Sequence, residues 1–153
     1  MMYSHIRKTI PIYEKINPIK LMHLSKTFGR ICKISFTCQI FTKTSCNNWI
    51  FKYKANNTLY ITISFYDKCT EPYPYIVIDD FVFPENLRKQ KLDEKILRII
   101  INHVQYLDFE MLIFNINQKF HIGLCKKNGF KQIGIHKMIV SLKPKFIQNI
   151  KPI

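Results

Sequence analysis

Residues 76–107 constrain the fold of this chain more than any other stretch. Residues 76–83, Ile-Val-Ile-Asp-Asp-Phe-Val-Phe, form a short apolar, β-branched and aromatic run that stops at Pro84, which predicts a buried strand. Farther on, Leu92, Ile96, Ile99, Ile100, His103, Val104 and Leu107 recur at spacings of three and four, the apolar face of an amphipathic helix. Between the two lies a polar connection carrying Arg88, Lys89 and Lys91. A basic loop at a helix start is suited to an anion, because unpaired amides and the helix dipole both favour negative charge there. The competing reading is a solvated connection whose cations only keep the protein soluble.

The remaining chain fits a single domain over residues 1–153, with residues 143–153, which hold two prolines, as a loose basic tail. Apolar residues make up 47% of the sequence, which excludes a disordered chain. The formal net charge of +14 attracts nucleic acid, an anionic membrane or a polyphosphate cofactor. The basic residues are spread along the chain, and no zinc-finger spacing, RNP-type sequence or heptad repeat identifies a nucleic-acid-reading module. Five cysteines, an odd number without a CxxC pair, point to free thiols and a reduced, cytoplasmic setting. No apolar run is long enough to span a bilayer, so no membrane partner is expected.

Taken in order, residues 6–13 read as a first strand. Asn17-Pro18 reads as the start of a helix with apolar residues Ile19, Leu21, Met22, Leu24 and Phe28, stopped by Gly29. Residues 31–41 lean towards a strand, on the alternation of Ile34, Phe36, Cys38 and Ile40. Residues 49–54 and 59–66 form the clearest hairpin, turning at Ala55-Asn56-Asn57. Residues 69–74 read as a loop with two prolines. After the central strand and helix come a strand at 111–116, a short helix at 118–128 closed by Asn128-Gly129, and two strands at 130–135 and 137–142. This order predicts an α/β (α+β) domain built on a mixed sheet flanked by helices.

The segment from Phe81 to Leu142 resembles the GCN5-related N-acetyltransferases (GNAT). The resemblance lies in Val82-Phe83-Pro84-Glu85, in the loop Arg88-Lys89-Gln90-Lys91-Leu92-Asp93, in Ile96-Leu97, and in Leu124-Cys125-Lys126-Lys127-Asn128-Gly129-Phe130 followed by a closing strand pair. Lys91 and Asp93 stand where the family places two loop glycines, and Cys125 stands where it often has a tyrosine. The resemblance implies acyl transfer from acetyl-CoA or another acyl-CoA to an amine. It places pantetheine along the main chain of Val82 and Phe83, and the pyrophosphate on the amides of Arg88, Lys89, Lys91 and Asp93, with Gln118 a further cofactor contact. Asp80 or Asp79, which simple alternation puts on opposite faces of the strand, is the expected base, and Cys125 the expected acid for the departing thiolate. His121 and Cys125, four apart on one helix face, also allow a thiolate–imidazole pair, and no metal site is expected. The alternative to the acyltransferase is a catalytically degenerate GNAT-like protein that binds nucleic acid or an acidic partner, or a DNA-modifying protein similar to the phage protein Mom.

Overall fold

A computed structural model describes residues 12–43, 48–67 and 74–143. Seven strands form one mixed sheet: β1 (Thr37–Lys43), β2 (Asn48–Asn56), β3 (Leu59–Tyr66), β4 (Tyr75–Val82), β5 (Met111–Asn115), β6 (Lys131–Gln132) and β7 (Lys137–Ser141), in the order β1-β2-β3-β4-β5-β7-β6. All neighbours are antiparallel except β4 and β5, which run parallel. Among the described residues five helices accompany them: α1 (Ile12–Ile16), α2 (Pro18–Cys32), α3 (Glu85–Lys89), α4 (Leu92–Val104) and α5 (Phe120–Lys127). None of the described helices is long and apolar enough to cross a membrane.

One face of the sheet carries Phe51, Tyr53, Ile61, Ile63, Phe65, Ile76, Ile78, Leu112 and Phe114, all buried in a single core. Helix α2 packs there through Leu21, Leu24, Phe28 and Cys32, and the Tyr53 hydroxyl donates to the Leu21 carbonyl at 2.7 Å. Helix α4 packs against α2 and buries Ile96, Leu97, Ile100 and Val104. His121 of α5 lies against Phe81 and Phe114 on the same face. The opposite face, with Thr37, Gln39, Phe41, Lys43, Ile50, Lys52, Lys54 and Tyr60, has no described helix packed over it.

Several expectations change at the N-terminal end. The expected first strand at 6–13 lies outside the described residues except for its last two, which belong to helix α1. Ile16 and Lys15 explain why: Ile16 is fully buried, and Lys15 pairs with Asp67 at 2.9 Å beneath the surface and lies over the Phe109 ring. Asn17 caps α2 as expected, accepting from the Lys20 amide. Gly29 does not end the helix; Lys33 does, in a left-handed conformation with its amide on the Gly29 carbonyl. A side chain at Gly29 would meet the Ile34 carbonyl at 3.2 Å, so glycine serves close approach there rather than termination. Ile19 and Met22 face solvent, at 65% and 41% exposure. The strand expected over 31–41 begins only at Thr37, because α2 takes its first two residues.

The hairpin β2–β3 forms, but β2 runs on to Asn56 through an irregularity at Ala55, so the turn falls at Asn57-Thr58 rather than at 55–57. Gly129 takes the left-handed conformation (φ 86°) after α5. The strand expected at 130–135 shrinks to two residues, since Ile133 turns back to bond Lys137. The loop expected at 69–74 falls on residues outside the described set up to 73, and so does the tail from 144 onwards.

Candidate functional site

Strands β4 and β5 pair in parallel over four positions, from Tyr75↔Met111 to Ile78↔Phe114, and then part. Strand β4 continues to Val82 without that neighbour. At the point of parting the β3–β4 register slips: Ile63 faces Ile78 while Thr62 faces Asp80, leaving Asp79 as the extra residue of a bulge. The bulge cancels the alternation that separated the two aspartates. Asp79 accepts a hydrogen bond from Ser64 Oγ, and Asp80 stands opposite Thr62, two residues along on the same face of β3. Both carboxylates therefore emerge on one side of the sheet.

Burial raises the pKa of Asp79 above its usual 3.8; the Ser64 hydrogen bond opposes this and the neighbouring Asp80 adds to it. Asn115 Nδ2 reaches the other Asp79 oxygen at 3.4 Å. The hydroxyl of Thr62 is buried without a hydrogen-bond partner among the described residues. Where the ladder is lost, side chains take over: Asn117 Nδ2 lies 3.4 Å from the Asp79 carbonyl, and Arg88 Nε donates to the Phe83 carbonyl at 3.2 Å.

The connection expected as a polar loop is a short helix, α3, followed by a sharp turn into α4. The turn residue is Lys91, held left-handed at φ 61° and ψ 29°. That backbone is the one glycine adopts without strain, so a lysine keeps the geometry that the missing glycine would have relaxed. Asp93 sits in the first turn of α4, 8% exposed, with Oδ1 accepting the Glu94 amide at 2.9 Å. Burial raises its pKa, against that amide bond and the nearby Arg88. One carboxylate thus already uses an amide of the helix start.

A cavity of about 340 Å³ lies between this turn and α5, lined by Arg88, Lys91, Asp93, Glu94, Phe120, Gly123, Leu124 and Lys127. It brings together three of the expected cofactor residues, Arg88, Lys91 and Asp93. The Arg88 guanidinium lies 4.1 Å from the centre of the Phe120 ring, and Lys127 pairs with Glu94 at 3.3 Å across the cavity. Lys89 points away, paired with Glu85 on the exposed surface, and Gln118 is exposed outside the cavity. Val82 ends β4, paired with Tyr60 of β3 but without β5 on its other side, and Phe83 follows it, buried against Phe81.

Cys125 is fully buried in the core, and burial pushes its thiol up to about 12. His121 is 2% exposed among Phe81, Phe114 and Phe120, and burial pushes its imidazole down to about 4, with its Nδ1 unpartnered among the described residues. The same burial keeps both groups neutral, the reverse of what a thiolate–imidazolium pair requires. Among the described residues no cluster of three metal-ligating side chains exists.

Sequence reasoning missed Ser64, Asn115, Asn117 and Lys127. Ser64 becomes relevant only through the bulged register. Asn115 and Asn117 left a readable sign, two amides at alternate positions where a strand ends. Lys127 follows Gly123 by one helical turn, but nothing in the sequence ties that face to the α3–α4 turn.

By sequence, the chain matches no family model and no curated protein. By structure it is similar to AtaTR bound with AcCoA, at TM-score 0.50 and 15% identity over 75% of this chain and 97% of that one. It is also similar to the NatC complex bound to Gag peptide and CoA (TM-score 0.48, 13% identity, 63% of this chain and 71% of that one). A further likeness is to the KacTA–DNA complex (TM-score 0.43, 11% identity, 67% and 72%). The parting of parallel β4 and β5, the bulge beside it and the overlay of three quarters of this chain on the first of these agree: this chain has a GCN5-related N-acetyltransferase-like fold.

Proposed function

We propose that the protein transfers an acyl group from an acyl-CoA to an amine, with Asp79 as the base. The observation that carries this reading is the placement of Asp79 at the bulge where β4 leaves β5. An amine attacks a thioester as the free base, so it must lose a proton to a nearby group. Asp79 is half-buried, raised in pKa by burial, and fixed by Ser64 and Asn115, which leaves a carboxylate more basic than an exposed one and held in one orientation. Asp80, on the same side, adds negative potential that draws an ammonium group to the site.

Coenzyme A supplies the acyl group as a thioester and leaves as a thiol. The residues that would hold its diphosphate are Arg88, Lys91 and Lys127, three cations around one cavity, with Lys91 supplying the tight turn. Asp93 opposes that anion and is the poorest fit in the site. Val82 and Phe83 offer main-chain partners for the pantetheine once Arg88 releases the Phe83 carbonyl. Cys125 has no part in this reading, since its thiol stays in the core.

The test is a calorimetric titration with acetyl-CoA, followed by a thiol-release assay with a panel of amines. Binding at micromolar or tighter concentration with amine-dependent thiol release supports the reading. Absence of binding by a folded protein overturns it.

A further inference from the structure

Acidic residues are unevenly placed. Apart from Glu14, every Asp and Glu lies between Asp67 and Glu110. From Lys15 to Tyr66 the chain holds eight Lys and Arg residues and no acid. These residues build α2 and strands β1, β2 and β3, so the charge segregation in sequence becomes a segregation in space. Only Lys15 of the eight pairs with a carboxylate among the described residues.

The register shows what this acid-free region presents. On the sheet face away from the helices, Thr37 pairs with Lys54, Gln39 with Lys52, Phe41 with Ile50, and Lys43 with Asn48. The next strand adds Tyr60 opposite Lys54 on that face, and the Lys52 ammonium lies 5.7 Å from the Tyr60 ring centre. Phe41 is 48% exposed on an edge strand, where a solitary large ring gains nothing from burial. At the start of β1 the surface turns into a cavity of about 470 Å³, lined by Lys26, Arg30 and Lys33 with Ser25, Gly29 and Ser35 and by no acid. Thr37 and Lys54 stand next to Ser35 and Phe36, so the cavity on the helix side and the lysines on the far face border the same end of the sheet.

We infer that this face binds single-stranded nucleic acid, with Lys43, Lys52 and Lys54 on phosphates and Phe41 and Tyr60 under bases, and with the Lys26–Arg30–Lys33 cavity, on the helix side of the sheet, continuing the phosphate path round the start of β1. Cations that neutralise phosphates give affinity without sequence, and aromatic rings between them supply stacking that duplex bases, already stacked, do not need. The surface is apart from the α3–α4 turn, and Asp80, which shares its face two strands from Lys52 across Thr62, bounds the basic area on that side. The inference also sets the nucleic-acid contact apart from Arg88, Lys89 and Lys91, the basic stretch that the sequence suited to an anion.

The test uses the full chain and a fluorescent 20-nucleotide mixed-sequence strand, followed by anisotropy between low and physiological salt. Lys52→Gln with Lys54→Gln should weaken binding and lower the slope of log affinity against log salt by roughly 1.4, at about 0.7 per phosphate contact. Phe41→Ala should weaken binding about five- to 150-fold with an unchanged slope. The triple Ala variant of Arg88, Lys89 and Lys91 should bind as wild type does. Melting curves establish that each variant is folded; these side chains are surface groups, and a second pair, Lys43→Gln with Lys33→Gln, replaces any that is not. Duplex bound as tightly as single strand, polyglutamate competing as well as the strand, or wild-type binding by the folded lysine variants would each overturn the inference.

Discussion

The side-chain amide of Asn117 lies 3.4 Å from the main-chain carbonyl of Asp79, across the gap that opens when β5 ends its pairing with β4. A parted strand leaves carbonyls that need donors, and here two side chains provide them, Asn117 at the top of the gap and Arg88 at Phe83. The gap is thus closed by groups that a ligand can replace without leaving a buried carbonyl unpaired.

Asp79→Asn should lower amine acylation about 10²- to 10⁴-fold, the usual range for loss of a positioned base. The wild-type rate should rise with pH through the raised pKa of Asp79, because only the carboxylate accepts the proton. Raised native pKa values mean that the fold favours the neutral acid, so the charged form destabilises the protein as pH climbs above 3.8. The Asn variant should accordingly melt above wild type at neutral pH while being nearly inactive. Stopped assays across pH beside thermal melts check both, and an Asn variant of full activity removes Asp79 from the mechanism.

Lys91→Gly should stabilise the protein by about 1 kcal/mol, the left-handed strain relieved less the extra freedom of the unfolded chain. Inside a helix this substitution would cost about 1 kcal/mol of propensity; the φ of 61° reverses the sign. With Asp93→Gly added, acetyl-CoA should bind more tightly, since a carboxylate beside the diphosphate cavity is removed. Chemical denaturation and calorimetry on the single and double variants measure the two effects separately.

His121 should make the protein acid-sensitive. Its pKa falls from 6.5 to about 4 on folding, so its contribution is complete above pH 6.5 and declines as pH drops towards 4. The full effect is on the order of 3 kcal/mol at about 1.4 kcal/mol per pH unit. His121→Phe, which keeps a ring among Phe81, Phe114 and Phe120, should lose this pH dependence. Stability curves of the two proteins that run parallel from pH 7 to pH 4 would contradict it.

Lys127→Ala should change stability by about 1 kcal/mol or less, because its bond to Glu94 is an exposed pair. Acetyl-CoA affinity should nevertheless fall, and its dependence on salt should flatten, if Lys127 faces the diphosphate. Equal affinity with a folded variant places the diphosphate elsewhere.

The core architecture was legible because it rests on periodicity. The β2–β3 hairpin, β4, the apolar face of α4 and the Gly129 turn all carry local signals that the packing reinforces. The candidate site was legible in part. Asp79 and Asp80 could be named from the sequence, but their common side depends on a bulge, and a bulge is a property of two strands together. Cys125 is the opposite case: its position in the chain suggested chemistry, whereas the core took it as a small apolar filler. Helix α1 was misread for a similar reason, since the burial of Ile16 and the pairing of Lys15 with Asp67 are decided by residues far along the chain.

That Lys15–Asp67 contact joins residues 52 apart in sequence, with side chains 7% and 3% exposed. The hairpins β1–β2 and β2–β3 close short loops and can assemble early, whereas this pair must wait until α1, α2 and the end of β3 have all arrived. An interaction completed after the folding barrier acts on the lifetime of the native state rather than on the speed of reaching it. The pair therefore works as a late latch: its loss would leave refolding rates nearly unchanged while the folded protein opened sooner.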